Sequence, residues 1–164
     1  MAEIIKEGTY RKLKWWILKF QYPQKIVGIT EHLQSWYCVY IQLPEKDEDY
    51  RPAYSYNKKT GKMVKIAERD SVTHDLIDGF YINFEKYDDI IDVNGGITFG
   101  ATDHEKTIIG WDYNHIWNQG SREDLIQIQE EIRHTIDRLI RYYNKNIKGG
   151  IKWHFMNLKK NLET

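Results

Sequence analysis

The longest regular pattern in the chain is an apolar stripe in its last third, and it limits the fold more than any other feature. Its members recur every three to four residues, as on one face of an α-helix: Leu125, Ile128, Ile132, Ile136, Leu139 and Tyr143. Ser121, with Asp124 in the third helical position, resembles a capping box. The spacing predicts a long amphipathic helix over residues 121–146, whose stripe must cover one face of a sheet.

A second pattern predicts a central β-strand over residues 34–43. Its side chains alternate between two sets, Tyr37, Val39, Ile41 and Leu43 on one face and Trp36, Cys38, Tyr40 and Gln42 on the other. Because both sets are largely apolar, both faces of this strand are expected to be buried. Strand and helix together predict one α+β domain over residues 1–164, with a mainly antiparallel sheet over 34–116 covered by the long helix.

Both termini are predicted to be helical. Within residues 1–30, an apolar stripe at helical spacing (Leu13, Trp16, Ile17 and Phe20) predicts a docked amphipathic helix with basic residues in solvent. After Gly149-Gly150, residues 150–162 predict a short, basic C-terminal helix. This aromatic, basic segment motivates one functional alternative, a homodimeric structural or assembly protein.

Two hairpins are predicted between these ends. The first lies in residues 50–66, where an Asn57 to Gly61 turn joins two alternating runs. Residues 67–79 are expected to form a loop, and residues 80–84 a short strand. The sequence does not define a role for residues 45–80 as a whole.

The second hairpin spans residues 92–115, where glycines and small polar residues interrupt the apolar pattern. Placing Phe99 opposite Ile109 and Ile97 opposite Trp111 collects the apolar side chains on one face. The other face would then carry Gly96, Thr98, Gly110 and Asp112. The candidate binding residues are Tyr40, Asn94, Gly95, Gly96, Thr98, Trp111, Asp112 and His115. An equally acceptable interpretation makes the glycines a bulge and Asp112 a structural brace.

The chemistry of this hairpin leaves several alternatives open. Thr98, Asp112 and His115, with Tyr40 beside them, would suit a small hydrolase or phosphodiesterase. Cys38 is the other nucleophile to consider, but a lone buried cysteine usually serves as a small hydrophobe.

The sequence supports a bound phosphate or a metal ion less strongly than a substrate site. The Gly95-Gly96 pair would suit a phosphate held by backbone N–H groups. The set of His104, Asp112 and His115 has no recognised metal-ligand spacing, so no metal and no cofactor are predicted.

The amino-acid composition limits the kinds of molecule that the chain is suited to bind. The chain has 24 basic and 24 acidic residues, and the resulting zero net charge argues against both a dedicated DNA or RNA binder and an acidic DNA mimic. A single cysteine fits a reducing compartment, and no run is long enough to span a membrane. These features predict a cytoplasmic protein.

Several motifs resemble those of a family of small uncharacterised phage and prophage proteins. In order, these motifs are Trp36-Tyr-Cys38 with Tyr40, Asp92-Val-Asn-Gly-Gly-Ile-Thr-Phe99, and Gly110-Trp-Asp-Tyr-Asn-His115, followed by the long helix. The family carries Trp-Cys-Gly-Tyr-Val, Val-His-Gly-Gly-Ile-Thr-Phe and Gly-Phe-Asp-Cys-Ala-His at the corresponding places. Here Asn94 replaces the histidine before Gly-Gly, and Tyr113-Asn114 replaces Cys-Ala.

The resemblance implies a phage origin and a site of action in the host cytoplasm. From that origin we expect an accessory protein that counteracts a bacterial defence by binding a defence protein or a nucleotide signal. If the family were catalytic through the missing histidine, this member would have lost that activity. A non-enzymatic binding protein is therefore favoured over the hydrolase and the homodimeric assembly protein.

Overall fold

The core of the protein is a seven-stranded antiparallel sheet with one long helix on one side. A computed structural model describes residues 2–24, 32–70, 75–93, 95–113 and 125–146. The strands of the large sheet are β1 (Ala2–Tyr10), β2 (Leu13–Gln24), β3 (His32–Gln42), β6 (Arg69–Asp70), β7 (Gly79–Tyr81), β8 (Phe99–Thr102) and β9 (Thr107–Asp112). Strands β4 (Pro52–Asn57) and β5 (Lys62–Ala67) form a separate two-stranded sheet, and the helix α1 spans Leu125–Asn146.

The order of strands in the large sheet is β1-β2-β3-β9-β8-β7-β6. A short 3-10 helix, Phe84–Asp89, follows β7. This arrangement confirms the predicted fold class, a mainly antiparallel α+β domain.

The N-terminal segment is a β-hairpin, so the prediction of a helix within residues 1–30 is wrong. Leu13, Trp15 and Ile17 of β2 face the side of α1, and the side chains between them face the other way. The helical interpretation left Trp15 and Leu18 unexplained, whereas a strand buried on both faces places both in a core.

The turn of this first hairpin has an unusual amino-acid composition. Arg11 and Lys12 both have positive φ, 48° and 65°, between the paired residues Tyr10 and Leu13. A turn with two left-handed residues matches the twist of the strands but normally uses Asn or Gly. Arg11 is held there by an ion pair of 2.8 Å with Asp137 of α1.

Strand β3 is a central strand, as predicted. It pairs with β2 on one side and β9 on the other. Val39, Ile41 and Leu43 belong to the core beneath α1, which we call the first face, and Cys38 and Tyr40 belong to the opposite side, which we call the second face. The predicted division of its side chains is therefore confirmed.

The long helix covers the first face. The stripe residues Ile128, Ile132, Ile136 and Leu139 are almost fully buried there, and Tyr143 follows at the C-terminal end. The helix prediction is confirmed over Leu125–Asn146, while the proposed capping box lies outside the described residues. The predicted C-terminal helix of residues 150–162 also lies outside them.

The β8–β9 hairpin exists, but its predicted register is wrong by one residue. Phe99 pairs with Gly110, and Gly100 pairs with Ile109. Phe99 therefore packs on the second face, while Ile97, Ile109 and Trp111 pack on the first.

Close approaches at both glycines fix this register. A Cβ on Gly110 would lie 2.5 Å from the carbonyl oxygen of Val39 and 2.7 Å from the Tyr40 ring. A Cβ on Gly100 would lie 2.6 Å from the Cβ of Phe84. Neighbouring parts of the chain itself therefore approach the backbone closely at Gly100 and Gly110, as glycines in strands permit.

The region between β3 and β7 was only partly predicted. The β4–β5 hairpin is confirmed, with the turn between Asn57 and Lys62. Within residues 67–79, expected to be loop, Arg69–Asp70 pairs with β7, and Leu76 and Ile77 are buried on the second face. The predicted strand over 80–84 is shorter, because Phe84 begins the 3-10 helix.

Candidate functional site

The predicted binding residues do not share one surface. Trp111 is buried on the first face, with 1% of its surface exposed, and its indole N–H donates to the Tyr113 hydroxyl at 3.0 Å. Asp112 pairs with Cys38 across β9 and β3, so its side chain shares the second face with Tyr40. Trp111 and Asp112 therefore serve opposite sides of the sheet.

The remaining predicted residues lie just outside the strands. Thr98 is exposed and precedes β8, where its backbone N–H donates to the carbonyl oxygen of Gly110 at 3.0 Å. Asn94 and His115 lie outside the described residues, so the proposed Thr98, Asp112 and His115 constellation is untested.

Polar groups do converge on the second face. Tyr40 meets Phe99 edge to face at 5.3 Å, and Phe99 meets Tyr81 at 5.7 Å. The Tyr81 hydroxyl donates to Asp70, a carboxylate with 1% of its surface exposed, at 3.1 Å. Since β7 and β3 contribute these side chains from across the sheet, the cluster ties distant strands together.

The electrostatics of this cluster oppose catalysis. Burial, reinforced by the negative charge of Asp112, raises the pKa of the Cys38 thiol to about 12, against the lowering effect of hydrogen bonds from Trp36 and Tyr40. Burial also raises the pKa of Tyr40 well above its usual range. With both groups protonated at neutral pH, neither Cys38 nor Tyr40 is an activated nucleophile in this cluster.

The Gly95-Gly96 turn is closed by a carboxylate of the chain itself. Both glycines have positive φ, 85° and 75°. The Gly96 N–H donates to the Val93 carbonyl oxygen at 3.0 Å, and the Ile97 N–H donates to the Asp88 carboxylate at 2.7 Å. These two donors are already occupied, which weighs against a phosphate at this turn.

Asp88 therefore braces this turn from within the chain. The brace role of Asp112 stays a prediction. The sequence contains one signal for this role of Asp88, since this residue lies only a few positions before the turn, in a short polar helix. Only the tertiary structure shows which carboxylate points at the turn.

A cleft of about 330 Å³ lies between the loop after β3, the 3-10 helix and the end of α1. Within it, Lys86 contacts Asp47 at 2.6 Å, and the Tyr87 hydroxyl donates to the same carboxylate. Tyr143 of α1 hydrogen-bonds to Tyr87. Because Asp47 is occupied by two donors from the chain, this polar group joins three elements and leaves little for a ligand.

Metal ligation finds no support in the described residues. They contain no group of three or more His, Cys, Asp or Glu side chains placed to hold a metal ion. His104 lies in the β8–β9 loop with 88% of its side chain exposed, whereas Asp112 lies at the far end of β9.

Among the described residues, exposed large apolar side chains are concentrated on the β4–β5 hairpin, residues 52–67, which we call the arm. Over a third of the surface of each large apolar side chain is exposed, up to 64% for Tyr54. These side chains are Tyr54, Tyr56, Met63, Val64 and Ile66. The arm also carries four lysines and no acidic residue.

The base of the arm is fixed to the edge of the large sheet. The Arg51 N–H donates to the Tyr81 carbonyl oxygen at 2.7 Å, and the Tyr81 N–H donates to the Glu68 carbonyl oxygen at 2.8 Å. The Arg51 and Glu68 side chains pair at 3.3 Å. An anchored ribbon with exposed apolar side chains is suited to contact another molecule.

The sequence predicted the hairpin but not its exposure. The available signal was that both alternating sets of residues in β4 and β5 mix apolar with polar side chains, so neither set marks a buried face. The prediction instead places the candidate binding residues around the glycines, where the chain packs against itself.

Comparison with protein-family models, curated proteins and solved structures finds no match to this chain. Within the described part of the chain, no helix combines the length and apolar character needed to cross a membrane.

Proposed function

We propose that this chain is a phage-encoded accessory protein that counteracts a bacterial defence system by binding one of its proteins in the host cytoplasm. The arm is the observation that carries the proposal. Of the ten large apolar side chains that are exposed among the described residues, five lie on the arm, and Tyr50 and Phe80 lie at its base. Exposed apolar side chains concentrated on one element are typical of a protein interface.

Two features favour a protein over a nucleotide signal as the partner. The Gly96 and Ile97 N–H groups are engaged within the chain and are not free for a phosphate. The arm offers aliphatic and aromatic side chains on a projecting ribbon and no concave pocket, whereas small ligands bind in concave sites.

Calorimetry with purified defence complexes, together with plaque assays in cells that carry the defence, tests the proposal. The wild-type chain should bind one complex and restore phage growth. Changing Tyr56→Ser and Met63→Ser together should weaken binding about 30-fold or more, as expected when interface anchors are truncated.

The matched control removes an exposed apolar side chain outside the arm. Ile4→Ser, at a residue with 43% of its surface exposed on β1, should leave binding and phage growth unchanged. A wild-type chain that neither binds a defence complex nor restores phage growth would exclude the proposed function.

A further inference from the structure

We infer that the arm enters a cleft of an acidic protein, which contacts both faces of the β4–β5 ribbon and the lysines around its tip. The inference rests on the proposed function and specifies the chemistry of the partner. Three features of the arm carry it: its charge, its two apolar faces and its rigid base.

Charge on the arm is strongly segregated. Lys58, Lys59, Lys62 and Lys65 lie within residues 52–67, and that segment has no Asp or Glu, although the whole chain is neutral. Three of these lysines surround the turn at the tip. Charge complementarity therefore favours a negatively charged partner surface, such as one rich in carboxylates, and opposes docking onto a basic surface.

The register of the ribbon places apolar side chains on both faces. Tyr56 pairs with Met63, and Tyr54 lies on the same face two residues away, opposite Lys65. Val64 and Ile66 project from the other face. A flat partner would cover only one of these faces, whereas the walls of a cleft would cover both.

The two apolar faces and the lysines of the arm argue against nucleic acid and against a second copy of the chain as the partner. Nucleic-acid bases stack on aromatic side chains, and this would engage Tyr54 and Tyr56 but leave Val64 and Ile66 in water. The arm of a second copy would bring four lysines against four, a like-charge contact that disfavours association.

The arm is preorganised for such an insertion. The Asn57 side chain accepts the Lys59 N–H at 2.9 Å, and the Gly61 N–H donates to the Asn57 carbonyl oxygen at 2.8 Å. The Arg51–Glu68 pair closes the other end. Because the ribbon is ordered before binding, little conformational entropy is lost when it docks.

Photo-crosslinking tests the two-faced contact. p-Benzoylphenylalanine is placed at Tyr56 in one variant and at Val64 in another, in bacteria that carry the defence system. We expect both positions to crosslink to the same protein, in peptides rich in Asp and Glu. A crosslink from one face only, to nucleic acid or to a second copy of the chain, or from neither position, would overturn the inference.

Charge reversal tests the role of the lysines. K58E/K59E/K62E should lower the crosslinking yield about tenfold, in line with the loss of three exposed ion pairs. The control K6E/K12E/K14E makes the same change in net charge on exposed lysines outside the arm and should keep the yield. Equal losses in both variants would overturn the inference.

Phage growth distinguishes a failure of this inference from a failure of the proposed function. If the wild-type chain restores phage growth and K58E/K59E/K62E restores it equally well, the acidic-cleft inference fails while the anti-defence function stands. If the wild-type chain gives no protection, the proposed function itself fails.

Discussion

The fold strongly lowers the reactivity of Cys38. Burial and the nearby Asp112 charge raise its pKa to about 12, so almost none of it is thiolate at pH 8. We expect the folded protein not to react with a thiol-specific disulfide reagent at that pH, and the urea-unfolded protein to react fully. Rapid labelling of the folded protein would contradict the buried, protonated thiol.

Asp88 is the residue that the Gly95-Gly96 turn depends on. Asp88→Ala leaves the N–H of the buried Ile97 without its acceptor. We expect the free energy of unfolding to fall by about 1 kcal/mol, measured by urea denaturation. The neighbouring exposed carboxylate gives the control, since Asp89→Ala should change it by less than about 0.5 kcal/mol. An equal effect of both variants would show that the turn does not rely on Asp88.

At the scale of elements, the helices and strands whose apolar residues follow one dominant periodicity were predictable. The α1 stripe and the alternation in β3 each leave a single arrangement that buries the apolar residues. In β2, apolar residues occupy both faces, and part of such a run also fits a helical stripe, here Leu13, Trp16, Ile17 and Phe20. The β8–β9 register was missed because it depends on Phe84 and Tyr40, which approach Gly100 and Gly110 from other elements.

The loop after β3, the 3-10 helix and α1 are joined through Asp47. Burial alone would raise the pKa of Asp47, but hydrogen bonds from Lys86, Tyr87 and the Asp49 backbone outweigh it and lower the pKa from 3.8. A carboxyl group whose pKa is lower in the folded than in the unfolded state stabilises the fold at pH values above its unfolded pKa. That contribution is lost as the pH falls below 3.8 through the folded value.

Asp47→Asn should therefore reduce the dependence of the free energy of unfolding on pH below 3.8. Urea denaturation at intervals from about pH 6 to about pH 2 measures this slope. Asp89→Asn, at an exposed carboxylate on the 3-10 helix, should keep the wild-type slope. A wild-type slope in Asp47→Asn would show that the Asp47 contacts do not stabilise the fold.

At the scale of the whole molecule, the arm is separable from the core. Its strands pair only with each other, and none of its residues belongs to the two buried clusters among the described residues. Replacing residues 53–66 with a short Gly-Ser linker should change the free energy of unfolding by less than about 1 kcal/mol. Thermal and urea denaturation measure this, and loss of cooperative unfolding would contradict it.

The exposure of the arm was the least predictable feature among the described residues. Strand formation in residues 50–66 follows from local turn chemistry around Asn57 and Gly61. Exposure of that hairpin follows from where its base joins β7, a long-range contact between Arg51, Glu68 and Tyr81 that no local pattern encodes.

The left-handed turn at Arg11 and Lys12 has a consequence for the order of folding. Hairpins with favourable turns close within microseconds and serve as early nuclei. This turn lacks Asn and Gly, and its Arg11 contact needs Asp137, a partner 126 positions away in the chain. Strands β1 and β2 are therefore expected to complete their pairing late, after α1 has been synthesised and has docked.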